Sequence, residues 1–271
     1  MNDTSAPIGV FDSGLGGLTV LKEIITLMPA EHTVYFGDTG RTPYGSKSPE
    51  TIIKYALQIA RFLQSQHIKM LVIACNTASA RAYKAVCDLM KIPVVEVITP
   101  GAQAAVQGTI NRKIGVIGTR ATIESDVYVN AIRHFAGPDM QIIQQACPLF
   151  VSLAEEGWWH HAVTRSIADV YLQALKQAQV DTLVLGCTHY PLLKDVIAQS
   201  AGSDVTLVDA AHRVSERVLD VLKTHRLMNQ SDVQGHHVFY TSDSIEYFQK
   251  LGSLFMDRTI DTVERIDIEQ Y

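Results

Sequence analysis

The sequence predicts an α/β fold: two pseudo-symmetric α/β domains with mostly parallel sheets and an active site in the cleft between them. Three observations carry this. Short, continuous apolar runs alternate with segments of helical periodicity, the pattern of parallel strands buried on both faces. Two stretches are echoed later in the chain: PIGVFDSGLGG (7–17) by KIGVIGTRATI (113–123), and LVIACNT (71–77) by LVLGCTH (183–189). The 271 residues, 47% hydrophobic and 19% charged, suffice for one large domain or two small ones around a buried core.

In chain order, IGVF (8–11) reads as a strand. LTVLKEIITLM (18–28) reads as a helix, with Leu18, Leu21, Ile24 and Met28 on one face. TVYFG (33–37) is the second strand. Ser48-Pro49-Glu50 starts a helix, with Ser as cap, Pro at the first helical position and Glu near the positive end. TIIKYALQIARFL (51–63) continues it. MLVIA (70–74), PVVEV (93–97), IGVIG (114–118), TLVLG (182–186) and VTLVD (205–209) are further buried strands. After residue 210 the chain still looks structured, with VSERVLDVL (214–222) and HHVFYTS (236–242).

Bulk properties exclude several classes. A net charge of -5 advertises no basic face for nucleic acid. No apolar run approaches a membrane-spanning length, and MNDTSAPIGVFD lacks the charged-then-apolar layout of a secretory leader. The expected location is the cytoplasm, where the four widely spaced cysteines read as free thiols without metal-ligand pairing. DSGLGGL has Thr19 where a dinucleotide fingerprint needs a third glycine, and no Walker A pattern occurs. The residues identify no pyridoxal-linked lysine. No cofactor and no metal are expected.

Cys75 and Cys187 end echoed strands and are followed by Asn76-Thr77 and Thr188-His189 at the expected start of a helix. Ligands of open α/β sheets bind at that end, and a helix N-terminus favours a thiolate. Cys87, inside the helical run YKAVCDLM, and Cys147, before Pro148, read as small buried hydrophobes. Two thiols on related strands suit removal of a proton from one face of a carbon and its return to the other, which inverts a stereocentre. Disulfide exchange usually places its cysteines closer in sequence, as in CxxC.

DSGLGGLTV, YFGDTGRTPYG, ACNTAS, GTRAT and GCTHYPLL, in that order over nearly the whole chain, resemble the glutamate racemase family of the cofactor-independent aspartate/glutamate racemase superfamily. The resemblance implies interconversion of L-glutamate and D-glutamate, supply of D-glutamate for peptidoglycan, and commonly a homodimer. It implies domains at 1–97 plus 208–271 and at 98–207. By the same resemblance Cys75 deprotonates D-glutamate and Cys187 L-glutamate, assisted by Asp12 and His189. Glu155 resembles a carboxylate near His189, with the adjacent Glu156 as the other choice. Ser13, Pro43, Tyr44, Gly45, Asn76, Thr77, Thr119, Thr122 and Thr188 match substrate-contacting positions, as do Asp12 and His189. The family's control by a peptidoglycan precursor goes with an N-terminal extension, and only a few residues precede IGVFD here.

Chemically, hydroxyls and backbone N–H groups suit the two carboxylates of glutamate. The TPYGS loop can turn at Pro43 and Gly45 and offer adjacent N–H groups. Asp12 can pair with the substrate ammonium. Taken singly, each residue has a plainer role: Asp12-Ser13 a helix cap, His189 a core histidine, Tyr44 packing, Thr119 and Thr122 caps, Glu155 a surface charge. Trp158-Trp159 and His160-His161 read as packing or a partly exposed surface. Two rivals remain: a racemase of the same superfamily acting on aspartate or another amino acid, and a non-catalytic protein binding an acidic amino acid.

Overall fold

The computed structural model describes residues 3–271. Residues 1 and 2, part of the stretch read for a leader, lie outside them. The strands are β1 (Ile8–Asp12), β2 (Thr33–Gly37), β3 (Met70–Ile73), β4 (Val94–Glu96), β5 (Lys113–Gly118), β6 (Gln141–Ala146), β7 (Thr182–Gly186), β8 (Thr206–Val208), β9 (His237–Thr241) and β10 (Glu264–Arg265). The α-helices are α1 (Leu18–Leu27), α2 (Pro49–Ser65), α3 (Asn76–Leu89), α4 (Ile98–Gly108), α5 (Arg120–Ile123), α6 (Val127–Ala136), α7 (Leu149–Glu155), α8 (Ala162–Ala178), α9 (Lys194–Ala201), α10 (Ala211–Thr224) and α11 (Ile245–Met256).

The chain divides into two compact units. One runs to Val97 and resumes at Ala211–Tyr271; the other is Ile98–Ala210. The first holds a sheet of order β10-β9-β2-β1-β3-β4, the second a sheet of order β6-β5-β7-β8. Every strand pair is parallel. The order β2-β1-β3-β4 maps onto β6-β5-β7-β8, so the sequence echo is a topological repeat: β1 corresponds to β5 and β3 to β7.

Local chemistry explains the elements. Ser48 accepts the Thr51 N–H at 3.3 Å and caps α2, with Pro49 in its first turn. In α1, Leu18, Leu21 and Ile24 are buried as the helical period requires, and Met28 closes the helix as its buried C-cap. β1, β2, β3 and β7 are buried along their whole length, which is why they read as continuous apolar runs. Not read from the sequence was β6, QIIQQA: as an edge strand it is half-buried, and its glutamines break the apolar signal. No helix of the described residues is long and apolar enough to cross a membrane.

Candidate active site

In the first unit the register brings the carboxyl ends of β1 and β3 together. Phe11 pairs with Ile73, so Asp12 lies beside Ala74 and Ser13 beside Cys75. Asp12 is fully buried, and its Oδ1 accepts the Gly14 N–H at 2.9 Å. It is not a cap of α1, which begins at Leu18 without a side-chain cap; the plain capping role fails. Cys75 is the N-cap of α3. Its Sγ accepts the Ala78 N–H at 3.4 Å and donates to Ser13 Oγ at 3.4 Å. Burial first and the Asp12 carboxylate second push the Cys75 thiol up to about 12, against the hydrogen bonds from Ser13 and Ala78. Asn76 and Thr77 open α3 and are buried. Gly17 makes room for this arrangement: a Cβ there would lie 2.6 Å from the Asp12 Cβ and 2.8 Å from the Ala74 Cβ.

The loop after β2 turns where expected. Tyr44–Ser46 is a single 3-10 turn after a cis Thr42–Pro43 peptide, and the first N–H groups of such a turn have no partner within it. Pro43 is exposed and Gly45 half-buried, while the Tyr44 side chain is 1% exposed. The Tyr44 hydroxyl donates to Asp38 Oδ2. The Tyr44 side chain is thus committed inward, and the residue as a whole is buried. Asp38, fully buried, also accepts from Arg41 Nε at 2.8 Å and Ser242 Oγ at 2.7 Å. It organises the loop and was missed in the sequence. The available signal was two opposite charges, Asp38 and Arg41, in a turn-rich segment at the carboxyl end of a strand.

In the second unit Gly118 pairs with Gly186, so Thr119 lies beside Cys187 as Ser13 lies beside Cys75. Thr119 caps α5 by accepting the Thr122 N–H at 3.3 Å, and the two hydroxyls are 3.0 Å apart. Both are buried, as is Thr188. The expected helix start at Thr188-His189 differs: a 3-10 turn, Tyr190–Leu193, intervenes before α9, with Pro191 in its first residues. Cys187 is therefore not a helix N-cap. A histidine stands there instead. His189 Nδ1 lies 3.8 Å from Cys187 Sγ, and Nε2 lies 3.1 Å from Glu155 Oε1. Burial opposes a charged His189, but its hydrogen bonds to Cys187 and Glu155 prevail and push it up to about 10. Glu155 ends α7; Glu156 is its exposed C-cap. The geometry selects Glu155.

The two halves are equivalent in frame and unlike in chemistry. In the repeat, the position of Asp12 in the first is held by Gly118 in the second, and that of Thr77 by His189. One sulfur has a carboxylate neighbour and a helix N-terminus; the other has an imidazolium backed by a carboxylate.

Both other thiols are free. Cys147 is fully buried, and burial followed by Cys187 pushes its thiol far up, as a small core side chain. Cys87 departs from that expectation, since it is only half-buried on α3. Trp159 packs on the second core and donates its Nε1–H to Ala154 O at 2.8 Å, while the Trp158 ring, 43% exposed, lies 4.6 Å from His161. His161 caps α8. These residues brace the segment after Glu155. Among the described residues no group of three His, Cys, Asp or Glu could hold a metal ion.

Comparison with known proteins agrees with this geometry. The profile of the Asp/Glu/Hydantoin racemase family matches residues 8–214. The glutamate racemase of Geobacter metallireducens is 49% identical over 262 residues, covering 97% of each chain, and that of Syntrophus aciditrophicus is 47% identical with the same coverage. The crystal structure of the Francisella tularensis glutamate racemase in complex with D-glutamate superposes with a TM-score of 0.93 at 38% identity, covering 99% of this chain and 100% of that one. The chain belongs to the Asp/Glu/Hydantoin racemase family.

Proposed function

We propose that this protein interconverts L-glutamate and D-glutamate without a cofactor, using Cys75 and Cys187 as the two acid/base groups. The observation that carries the reading is the repeat itself: two sulfurs at equivalent strand ends, each with its own hydroxyl and its own polar helper. The glutamate racemase names of relatives at 44–49% identity support glutamate over aspartate, as does the D-glutamate held by the Francisella enzyme.

In the L-to-D direction Cys187, partnered by His189, takes the α-proton of L-glutamate. The C–H electron pair passes into the α-carboxylate, and Cys75 delivers its own proton to the other face. The reverse reaction begins at Cys75. The mechanism requires both sulfurs to reach one Cα from opposite sides. Ser13, Asn76, Thr77, Thr119, Thr122 and Thr188, with the Pro43–Gly45 backbone, hold the carboxylates and the charge that develops on them. Asp12 receives the ammonium. The hydrogen bonds to Cys187 and Glu155 keep His189 charged, and a cation beside a sulfur favours its thiolate.

The asymmetry has a direction. At neutral pH the Cys75 side is a protonated thiol, ready to donate, while the Cys187 side has a cation beside its sulfur. The proton on Cys75 is the one conversion of L-glutamate needs. For D-glutamate, the incoming ammonium neutralises the Asp12 charge that helps raise Cys75, and so eases its ionisation. The reading extends to a cytoplasmic homodimer supplying D-glutamate for peptidoglycan.

The test is L-glutamate in D2O with no cofactor added, followed by proton NMR and circular dichroism on one sample. Loss of the α-proton signal together with optical activity is the expected result. Saturable binding without exchange would replace catalysis by the binding-protein reading. Exchange with aspartate alone would move the substrate.

A further inference from the structure

The 3-10 turn Ile268–Gln270 near the carboxyl terminus lies far in sequence from the Pro43–Gly45 loop, yet one guanidinium ties them together. Glu269 Oε1 accepts from Arg41 Nη1 at 2.8 Å, and Oε2 accepts from Gln58 Nε2 at 3.2 Å. Arg41 Nη1 also donates to Gln58 Oε1 at 2.6 Å. Through Nε, Arg41 holds Asp38, and Asp38 holds the Tyr44 hydroxyl. The Arg41 guanidinium lies 4.0 Å above the Tyr55 ring, and that ring is 5.5 Å from the Tyr44 ring.

The turn is also anchored by contacts that do not reach the loop. Ile268 is buried in the core of the first unit, Asp267 Oδ1 accepts the Glu269 N–H at 3.2 Å, the Tyr271 ring lies 5.3 Å from Phe62, and Arg61 Nη1 donates to Tyr271 O at 3.2 Å. Among the described residues, the one other cation near Glu269 is Lys54, at 3.7 Å and itself exposed. Arg41 has two carboxylate partners, one fully buried and one 54% exposed. The buried charge of Asp38 stays balanced by Arg41 when Glu269 is removed. What is lost is the second point that fixes the guanidinium in direction, and with it the angle at which Asp38 holds Tyr44.

We propose that Glu269 and Arg41 are positioning residues that set the Tyr44–Gly45 backbone and thereby the affinity for substrate. The inference rests on the reading that this loop holds a glutamate carboxylate, a group common to both enantiomers. The clasp therefore acts on KM in both directions and leaves the proton-transfer groups alone.

The test uses the full chain with Glu269→Ala, and Arg61→Ala as a control that loosens the terminus without reaching the loop. Two readouts are taken: KM and kcat for each enantiomer, and hydrogen exchange of residues 38–47 by mass spectrometry. For Glu269→Ala, KM rises roughly three- to fivefold for both enantiomers. Its kcat and pH profile hold, and exchange in 38–47 quickens; Arg61→Ala changes neither. Glu269→Gln, which keeps an acceptor for Arg41, recovers most of the lost affinity; if the alanine variant fails to fold, Arg41→Lys, which keeps a charge beside Asp38 but not the fork that meets both carboxylates, gives the same rise in KM and faster exchange. Unchanged KM and unchanged exchange in a Glu269→Ala protein of lowered Tm would overturn the proposal, leaving a purely structural turn. If the unaltered protein racemises neither enantiomer, the functional reading falls, and exchange alone decides the clasp: faster exchange in Glu269→Ala upholds it, unchanged exchange ends it.

Discussion

Replacing Glu155 by glutamine removes one negative charge beside His189 and leaves an amide oxygen that still accepts from Nε2. The consequence follows from linkage. His189 is raised from 6.5 to about 10 in the fold. The stability its proton contributes is complete below pH 6.5 and is lost as pH climbs through about 10. The interval is roughly 3.5 pH units at about 1.4 kcal/mol each, so the full contribution is on the order of 5 kcal/mol at low pH, falling to about 4 at pH 7 and about 1 at pH 9. A charge-assisted hydrogen bond is worth about 2 kcal/mol. Glu155→Gln therefore costs about 2 kcal/mol at pH 7, and the gap to the unaltered protein closes to under about 0.5 kcal/mol near pH 10. Urea unfolding of both proteins at pH 7, 8, 9 and 10 measures it, since groups titrating alike in both cancel in the difference. A gap that stays constant across this range would refute the charged His189. Racemase activity at neutral pH falls roughly ten- to a hundredfold in the same variant, because the cation beside Cys187 is weakened.

Cys75→Ser or Cys187→Ser nearly abolishes racemisation in both directions, read as optical rotation from either enantiomer; normal turnover in either variant would end the two-thiol mechanism. The equilibrium constant between enantiomers is unity, so any variant changes kcat/KM by the same factor in the two directions, and only kcat and KM separately carry the asymmetry. Activity falls toward acidic pH, because burial and Asp12 hold the Cys75 thiol up to about 12 and protons oppose the thiolate D-glutamate needs; a flat pH–rate profile from a folded enzyme would contradict this. Gly17→Ala drives a methyl into Asp12 and Ala74, costing about 1–3 kcal/mol of stability in a urea melt together with most of the activity.

Much of this was legible in the residues. Continuous apolar runs predicted the central strands β1, β2, β3 and β7 because burial on both faces leaves no polar positions. The sulfurs at the ends of β3 and β7 were legible for a related reason, since a polar cluster directly after such a run marks the ligand end of a parallel strand. β6 was not legible, because its edge position tolerates glutamine. The helix expected after Cys187 was displaced by a 3-10 turn, a choice of local geometry that composition does not fix.

By itself the sequence determined the fold class, the repeat and the two cysteines, all of them consequences of short-range pattern. Only the tertiary structure decided which groups surround the sulfurs. His189 meets Glu155 rather than Glu156 because the end of α7 points one of two adjacent carboxylates inward. Tyr44 turns inward to Asp38, whose other partners include Ser242 and, through Arg41, Glu269, each more than 200 residues from the group it meets. Burial and charge proximity are properties of packed space, and they set the Cys75 thiol high and the His189 imidazole charged in a way no spacing along the chain encodes.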